Sequence, residues 1–185
     1  MLKRGFDLVM SALLLVPAVF VCLLAALFSG LEFRANPLFV QWRVGRDQRP
    51  FRLYKIRTMA PTTGDRPSHE VAVTRISWSS ALIRKLKLDE LPQLICVLRG
   101  DMSLVGPRPC LPIQHELIDA RERHGVFRVR PGVTGLAQVQ GVDMSEPERL
   151  AAIDGDYVAN QSLAGDIRIL LHTFGGGGRG DAAKR

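Results

Sequence analysis

LVMSALLLVPAVFVCLLAALF, residues Leu8 to Phe28, runs for 21 residues without a charged side chain, and the rest of the chain has to be read around it. As a straight helix rising about 1.5 Å per residue it would reach roughly 31 Å, close to the thickness of a bilayer's hydrocarbon core. A secretory signal has a shorter apolar stretch, about 7 to 15 residues, and ends in a small-residue cleavage site that does not occur here. A core helix apolar on every side needs protein on every side, which a 185-residue chain is too short to supply. The segment therefore reads as membrane-inserted. Pro17 stands near its middle, where it removes a backbone donor and crowds the preceding turn, so a bend is predicted. Lys3 and Arg4 precede the segment, and Arg34, Arg43, Arg46 and Arg49 follow it. Flanking cations favour the cytoplasmic side, so both ends are drawn to one face. The expectation is a re-entrant helix, broken at Pro17, that enters and leaves through one leaflet. The carbonyls freed near Leu13 must then be satisfied locally, because lipid offers no donor.

The remaining sequence reads as one domain. At 46% hydrophobic and 23% charged residues the chain is neither disordered nor of low complexity. A formal charge of +7 and a pI near 9.9 favour a polyanionic partner such as a phosphate ligand or anionic lipid. Cys22, Cys96 and Cys110 are odd in number and contain no CxxC, which argues against a disulfide framework or thiolate zinc and for a reducing compartment. LFVQWRVG and FRLYKIRTM, separated by a turn-like stretch, predict a β-hairpin after Pro37. Residues 60–75 read as a surface loop, and Ser79 to Leu98 as two helical pieces interrupted by Pro92. A third helix is expected over Ile113 to His124, then the extended RVRPGVTGLAQVQG, then a helix opened by Ser145-Glu146-Pro147. The fold class is α+β: a membrane helix over 1–36, a mainly helical cytoplasmic domain with a small hairpin over 37–174, and a flexible glycine-rich tail over 175–185.

Chemistry concentrates around Asp89 and Glu90, adjacent carboxylates in RKLKLDELPQL. Acidic residues near a helix start usually serve only as caps, but here Arg84, Lys85, Lys87 and Arg99 surround them. Arg108 follows between two prolines, whose restricted backbone lowers the entropy lost when its guanidinium grips a phosphate. Arg128 and Arg130 add a further guanidinium pair suited to diphosphate oxygens. Carboxylates without a His or Cys nucleophile, beside arginines, on a basic membrane chain, point to phosphoryl chemistry at the interface. His69, His115, His124 and His172 lack metal-ligand spacing, and the run from Gly175 to Gly178 lacks the Lys-Ser/Thr of a P-loop. Aromatic residues at 6% are too few for a base-stacking surface, so nucleic acid is not an expected partner.

FRLYKIRTM, KLDELPQLICVLRGDMSLVGPRP and RPGVTGLAQVQG together resemble the monotopic phosphoglycosyl transferases, also called bacterial sugar transferases. The resemblance extends from Lys3-Arg4-Gly5-Phe6-Asp7 to the run around Asp166. It implies transfer of a phosphosugar from a UDP-sugar to a polyprenyl phosphate, usually undecaprenyl phosphate, with Mg²⁺, at the cytoplasmic face of the bacterial inner membrane. It makes Asp89 the nucleophile on the β-phosphate, expelling UMP. Glu90 would assist Mg²⁺ binding or deprotonation of the acceptor, so both carboxylates are candidate metal ligands. Arg84 and Arg108 would hold phosphate, with Lys55 and Arg130 as further substrate-binding candidates. A carboxylate already ionised at neutral pH suits that nucleophilic role.

Two positions depart from the family pattern. Val16 precedes Pro17 where members often carry a serine, and Val142 stands where many carry an arginine. Two other readings compete with the transferase: a silent membrane-anchored module whose basic face binds anionic lipid, and a hydrolase of polyprenyl diphosphates.

Overall fold

The computed structural model describes residues 2–61 and 77–176. Its first element, α1 (Leu2–Phe33), is a single helix of 32 residues with Pro17 inside it. It is the one helix among the described residues long and apolar enough to cross a membrane. Asp7, Ser11, Ala18, Ala25 and Ser29 are its buried residues, spaced by fours and sevens so that they form one stripe. Small side chains along that stripe let the neighbouring elements approach closely. The other faces expose Leu13, Val16, Phe20, Leu23, Leu24, Leu27 and Phe28, an apolar surface that water does not suit. The chain is thus membrane-associated through one side of α1, and the opposite side belongs to the domain.

The expected break at Pro17 is not found; the helix is continuous. Met10, Leu15 and Ala18 pack on one apolar cluster with Phe51, Leu53, Leu94 and Val97, so the turns on both sides of the proline are braced by the same core. Losing one backbone hydrogen bond there does not part the two halves.

Polar contacts fasten α1 at both ends. Lys3 donates from Nζ to the Asp166 carboxylate at 2.6 Å and to the Val105 carbonyl at 3.0 Å. Arg4 donates to the carbonyls of Val97 and Leu98. The Asp7 carboxylate accepts from the Ser103 hydroxyl at 2.8 Å and the Leu104 N–H at 3.2 Å. At the far end Ser29 donates to the Arg57 carbonyl, and Glu32 accepts from the hydroxyls of Ser79 and Ser80.

The hairpin forms as expected: β1 (Leu38–Val44) pairs antiparallel with β2 (Pro50–Ile56), Leu38 opposite Ile56 and Val44 opposite Pro50. The stretch from 79 to 98 folds as three pieces rather than two. These are α2 (Trp78–Lys85), a 3-10 turn at Leu88–Glu90, and α3 (Gln93–Arg99). The extra break arises at Lys87, whose left-handed φ of 55° turns the chain before Pro92 is reached. Beyond β3 (Ser103–Val105) come α4 (His115–Arg123) and β4 (Gly132–Thr134), which pairs parallel with β3. Gly132 is required in that pair, because a Cβ there would stand 2.1 Å from the Gly106 nitrogen. The chain ends in α5 (Leu136–Val139), α6 (Pro147–Ala159) and α7 (Leu163–Phe174). Most of the loop expected over 60–75 and nearly all of the tail over 175–185 lie outside the described residues.

Replacing Asp7 by Ala strands the buried Leu104 N–H and leaves the Ser103 hydroxyl with the Val105 carbonyl as its acceptor, a loss of roughly 2–3 kcal/mol with the removed charge-assisted bonds. For a chain of this size that corresponds to a fall in melting temperature of roughly 4–12 °C. Thermal unfolding in detergent measures it. Gly5→Ala is the control: a Cβ at Gly5 meets nothing within 4 Å, so that variant unfolds at or slightly above the wild-type temperature.

Candidate functional site

Three segments converge on the two adjacent carboxylates. Ser77 caps α2, its hydroxyl accepting from the Ser80 N–H, and α2 ends where Leu86 and Lys87 turn the chain back. The 3-10 turn that follows carries Asp89 and Glu90. Leu88 of that turn packs against a cluster of Ala25 from α1, Ile56 from β2 and Ile83 from α2, which fixes the height of the carboxylates beside the membrane helix. From β2 comes Lys55, one residue before Ile56. From the loop after β3 comes Arg108, between Pro107 and Pro109.

The Glu90 carboxylate oxygen Oε1 accepts from Lys55 Nζ at 3.3 Å and from Arg108 Nη2 at 3.0 Å. All three side chains are largely buried, at 13%, 18% and 14% exposure, so these ion pairs are poorly screened. Burial alone would raise Glu90, yet the charges of Arg108 and Lys55 and their hydrogen bonds bring it down to about 2. Asp89 goes the other way: burial first, then the neighbouring Glu90 charge, push it up to about 6 against the pull of Lys55, Arg84 and Arg108. Burial also lowers Lys55, opposed chiefly by Glu90. One carboxylate is thus pinned in its ionised form while its neighbour is held as a high-energy, more basic anion at neutral pH.

Of the candidates from sequence, Lys55, Arg84, Asp89, Glu90 and Arg108 come together, with Arg84 acting on Asp89 through its charge. Arg130 does not join them. Its Nε donates to the Gly100 carbonyl at 2.7 Å, just beyond α3, near Arg4 and Arg46. Val142 is buried with Val44, Cys110 and Phe127, a packing position rather than a ligand contact. Sequence reading missed two residues that shape the site, Arg43 and Arg121. Both donate to carbonyls of the loop bearing Arg108. No spacing signal marks them, since each reads as an ordinary cation on an amphipathic element.

No three His, Cys, Asp or Glu side chains among the described residues cluster into a closed metal cage. The Asp89–Glu90 pair supplies hard oxygen donors only. Mg²⁺ takes one or two carboxylates and completes its octahedron with water and phosphate, so the pair fits that ion better than it fits zinc.

A family model described as bacterial sugar transferase matches residues 1–177 of the chain. The chain is 40% identical over 185 residues to the UDP-glucose:undecaprenyl-phosphate glucose-1-phosphate transferase of Caulobacter vibrioides, covering 92% of this chain and 67% of that protein. It is 38% identical over 174 residues to an uncharacterized sugar transferase, EpsL, of Bacillus subtilis, covering 93% and 85% respectively. It is 37% identical to the UDP-N-acetylgalactosamine-undecaprenyl-phosphate N-acetylgalactosaminephosphotransferase of Aeromonas hydrophila, of which it spans 43%.

The raised Asp89 makes a prediction about stability without metal. Its folded-state value of about 6 lies above the 3.8 of an ordinary aspartate, so ionising it opposes folding. The penalty is absent below about pH 4, grows through the interval and is complete above about pH 6.5. With chelator present, Asp89→Asn should therefore be more stable than wild type at pH 8, by up to roughly 2–3 kcal/mol, and the gap should close as the pH falls towards 4. Equal pH profiles of unfolding for the two proteins would show that Asp89 is not strained.

Proposed function

The chain belongs to the bacterial sugar transferase family, and from that premise we propose that it moves a sugar 1-phosphate from a UDP-sugar to undecaprenyl phosphate with release of UMP. In doing so it begins assembly of a bacterial glycan at the cytoplasmic face of the inner membrane. The observation that carries the reading is the unequal carboxylate pair: Glu90 fixed by Lys55 and Arg108, with a buried, more basic Asp89 beside it.

The reaction divides at Asp89. Its carboxylate oxygen bonds to the β-phosphorus as the bond from that phosphorus to the bridging oxygen of UMP breaks, leaving an aspartyl phosphosugar. An oxygen of the polyprenyl phosphate then attacks the same phosphorus, the bond to Asp89 breaks, and the carboxylate is regenerated. No proton is needed from Asp89 in either step. Arg84 and Arg108 would hold phosphate oxygens, and Glu90, through Oε1, keeps Arg108 and Lys55 oriented. Asp89 and Glu90 would hold Mg²⁺, which when bound neutralises charge on the diphosphate. Arg130, whose Nε is bonded to the Gly100 carbonyl just beyond α3, is given no phosphate contact in this scheme.

The acceptor's lipid must reach Asp89, and the position of α1 supports that. Leu88 seats the carboxylate turn against the cluster that contains Ala25, on the helix whose other faces are apolar and exposed. Because Asp7 and Glu32, near opposite ends of α1, both bond to the same domain, both helix ends belong on one side of the membrane. We infer that α1 is seated in one leaflet with both ends at the same face, as an unbroken helix lying along the domain rather than as a hairpin broken at Pro17. α2 exposes Trp78, Leu82 and Leu86 along one face and carries Arg84 and Lys85, a composition that suits anionic headgroups.

Membranes containing the protein, given polyprenyl phosphate, Mg²⁺ and a panel of UDP-sugars, should release UMP with at least one donor. Asp89→Asn should abolish release, and labelled donor should leave an adduct on the peptide containing Asp89. A wild-type rate in Asp89→Asn, or an adduct on another residue, ends the assignment. For topology, Gly5→Cys and Asn36→Cys are introduced singly into a chain with its native cysteines replaced by alanine. An impermeant thiol reagent should label neither in intact spheroplasts and both after lysis. Labelling at position 5 from outside would make α1 a spanning helix.

A further inference from the structure

The loop that presents Arg108, Gly106–Cys110, has two prolines and therefore few backbone donors of its own, yet four successive carbonyls in it are occupied. The Pro107 carbonyl accepts from the Gly132 N–H at 2.9 Å and the Cys110 carbonyl from the Val44 N–H at 3.0 Å. Between them, the Arg108 carbonyl accepts from Arg121 Nη1 at 2.8 Å and the Pro109 carbonyl from Arg43 Nη1 at 3.0 Å. Two guanidinium groups thus do at the centre of the loop what a neighbouring strand would do in a sheet.

Arg121 is itself immobilised. Its side chain and that of Asp154 are each 2% exposed, and Asp154 Oδ2 accepts from Arg121 Nε at 3.0 Å and from Nη2 at 2.6 Å. An ion pair for stability alone would not need the third bond, and a buried pair is commonly replaceable by apolar side chains of similar size. A lysine could pair with Asp154 but lacks the planar fork that reaches two partners at once. The chain of contacts therefore runs from Asp154 on α6, through Arg121 on α4, to the Arg108 backbone, and from the Arg108 side chain to Glu90.

We propose that Arg121, locked by Asp154, is a positioning residue that sets the Arg108 guanidinium against Glu90 and the donor phosphates. The inference rests on the transferase reading, and its test separates the two. If wild-type protein releases no UMP, the reading fails and the inference with it; if wild type is active, the variants decide the inference alone.

Five variants are compared by UMP release and thermal unfolding: Arg121→Lys, the double replacement Arg121→Met with Asp154→Leu, Arg108→Ala, and each of the first two combined with Arg108→Ala, those carrying Arg108→Ala followed by single-turnover labelling over hours. The expectation is that the apolar pair unfolds within a few degrees of wild type, while both it and Arg121→Lys lower kcat/KM by about tenfold or more, with a raised KM for the UDP-sugar. On the Arg108→Ala background the same changes should cost less than about threefold, because the route through Arg108 is already cut. Wild-type kcat/KM in the apolar pair would overturn the proposal. So would an undiminished loss on the Arg108→Ala background, or failure of both Arg121 variants to fold, since either would make the role of Arg121 purely structural.

Discussion

Polar side chains in the first two turns of a largely apolar helix, Asp7 fully buried among them, anchor it to the domain, and the placement of everything else follows from that. Asp7 serves the Ser103 hydroxyl and the Leu104 N–H, while Lys3 reaches Asp166 and the Val105 carbonyl. Tyr157 closes the same knot, donating to Asp166 and to Val105. One small polar centre thereby ties α1 to β3, α6 and α7. These bonds hold the start of the helix to the domain. The helix lies along the domain, and its small-residue stripe replaces the lipid contact that the same face would otherwise make.

That arrangement decides where the carboxylates sit. Ala25 of α1, Ile56 beside Lys55 and Leu88 beside Asp89 share a cluster, so the residues that carry charge are each one position from residues that carry the packing. Alternation along β2 and the tightness of a 3-10 turn make this possible: neighbours in sequence point to different environments. Electrostatics then differentiates the pair. Three cations, Lys55, Arg84 and Arg108, face two carboxylates, which leaves too little positive charge to offset an incoming diphosphate. A further cation at Asp89 would meet that need, in line with the magnesium proposed above.

Much of this was legible in the sequence because its signals were local and strong. The apolar run of α1, the alternation in the hairpin, and the Asp89–Glu90 pair in a basic context each show within about twenty residues. What escaped was long-range or short. β3 and β4 have three residues each, too few for alternation to register, and they pair only because the glycines at 106 and 132 permit close approach. The continuity of α1 through Pro17 depends on Phe51 and Leu53, distant in sequence. Arg130 reads in sequence as one of a guanidinium pair with Arg128, and its Nε bond to the Gly100 carbonyl just past α3 joins residues thirty positions apart that no local pattern links. Arg121 gave no signal because its importance lies in where it donates rather than in what surrounds it in the chain.

Val142 shows how a departure from the family pattern can be absorbed. Where the pattern leads one to expect a cation, this chain packs a valine, 4% exposed, beside Cys110, Val44, Leu117 and Phe127. Cys110 ends the loop that presents Arg108, and Val44 bonds to its carbonyl. The valine therefore supports from below the same loop that Arg43 and Arg121 hold by its carbonyls. An arginine buried there would need a charged partner, and the cluster contains none, so the substitution that removed a cation also removed the need to compensate it. The loop that presents Arg108 is thus held both by its carbonyls and by apolar packing at Cys110.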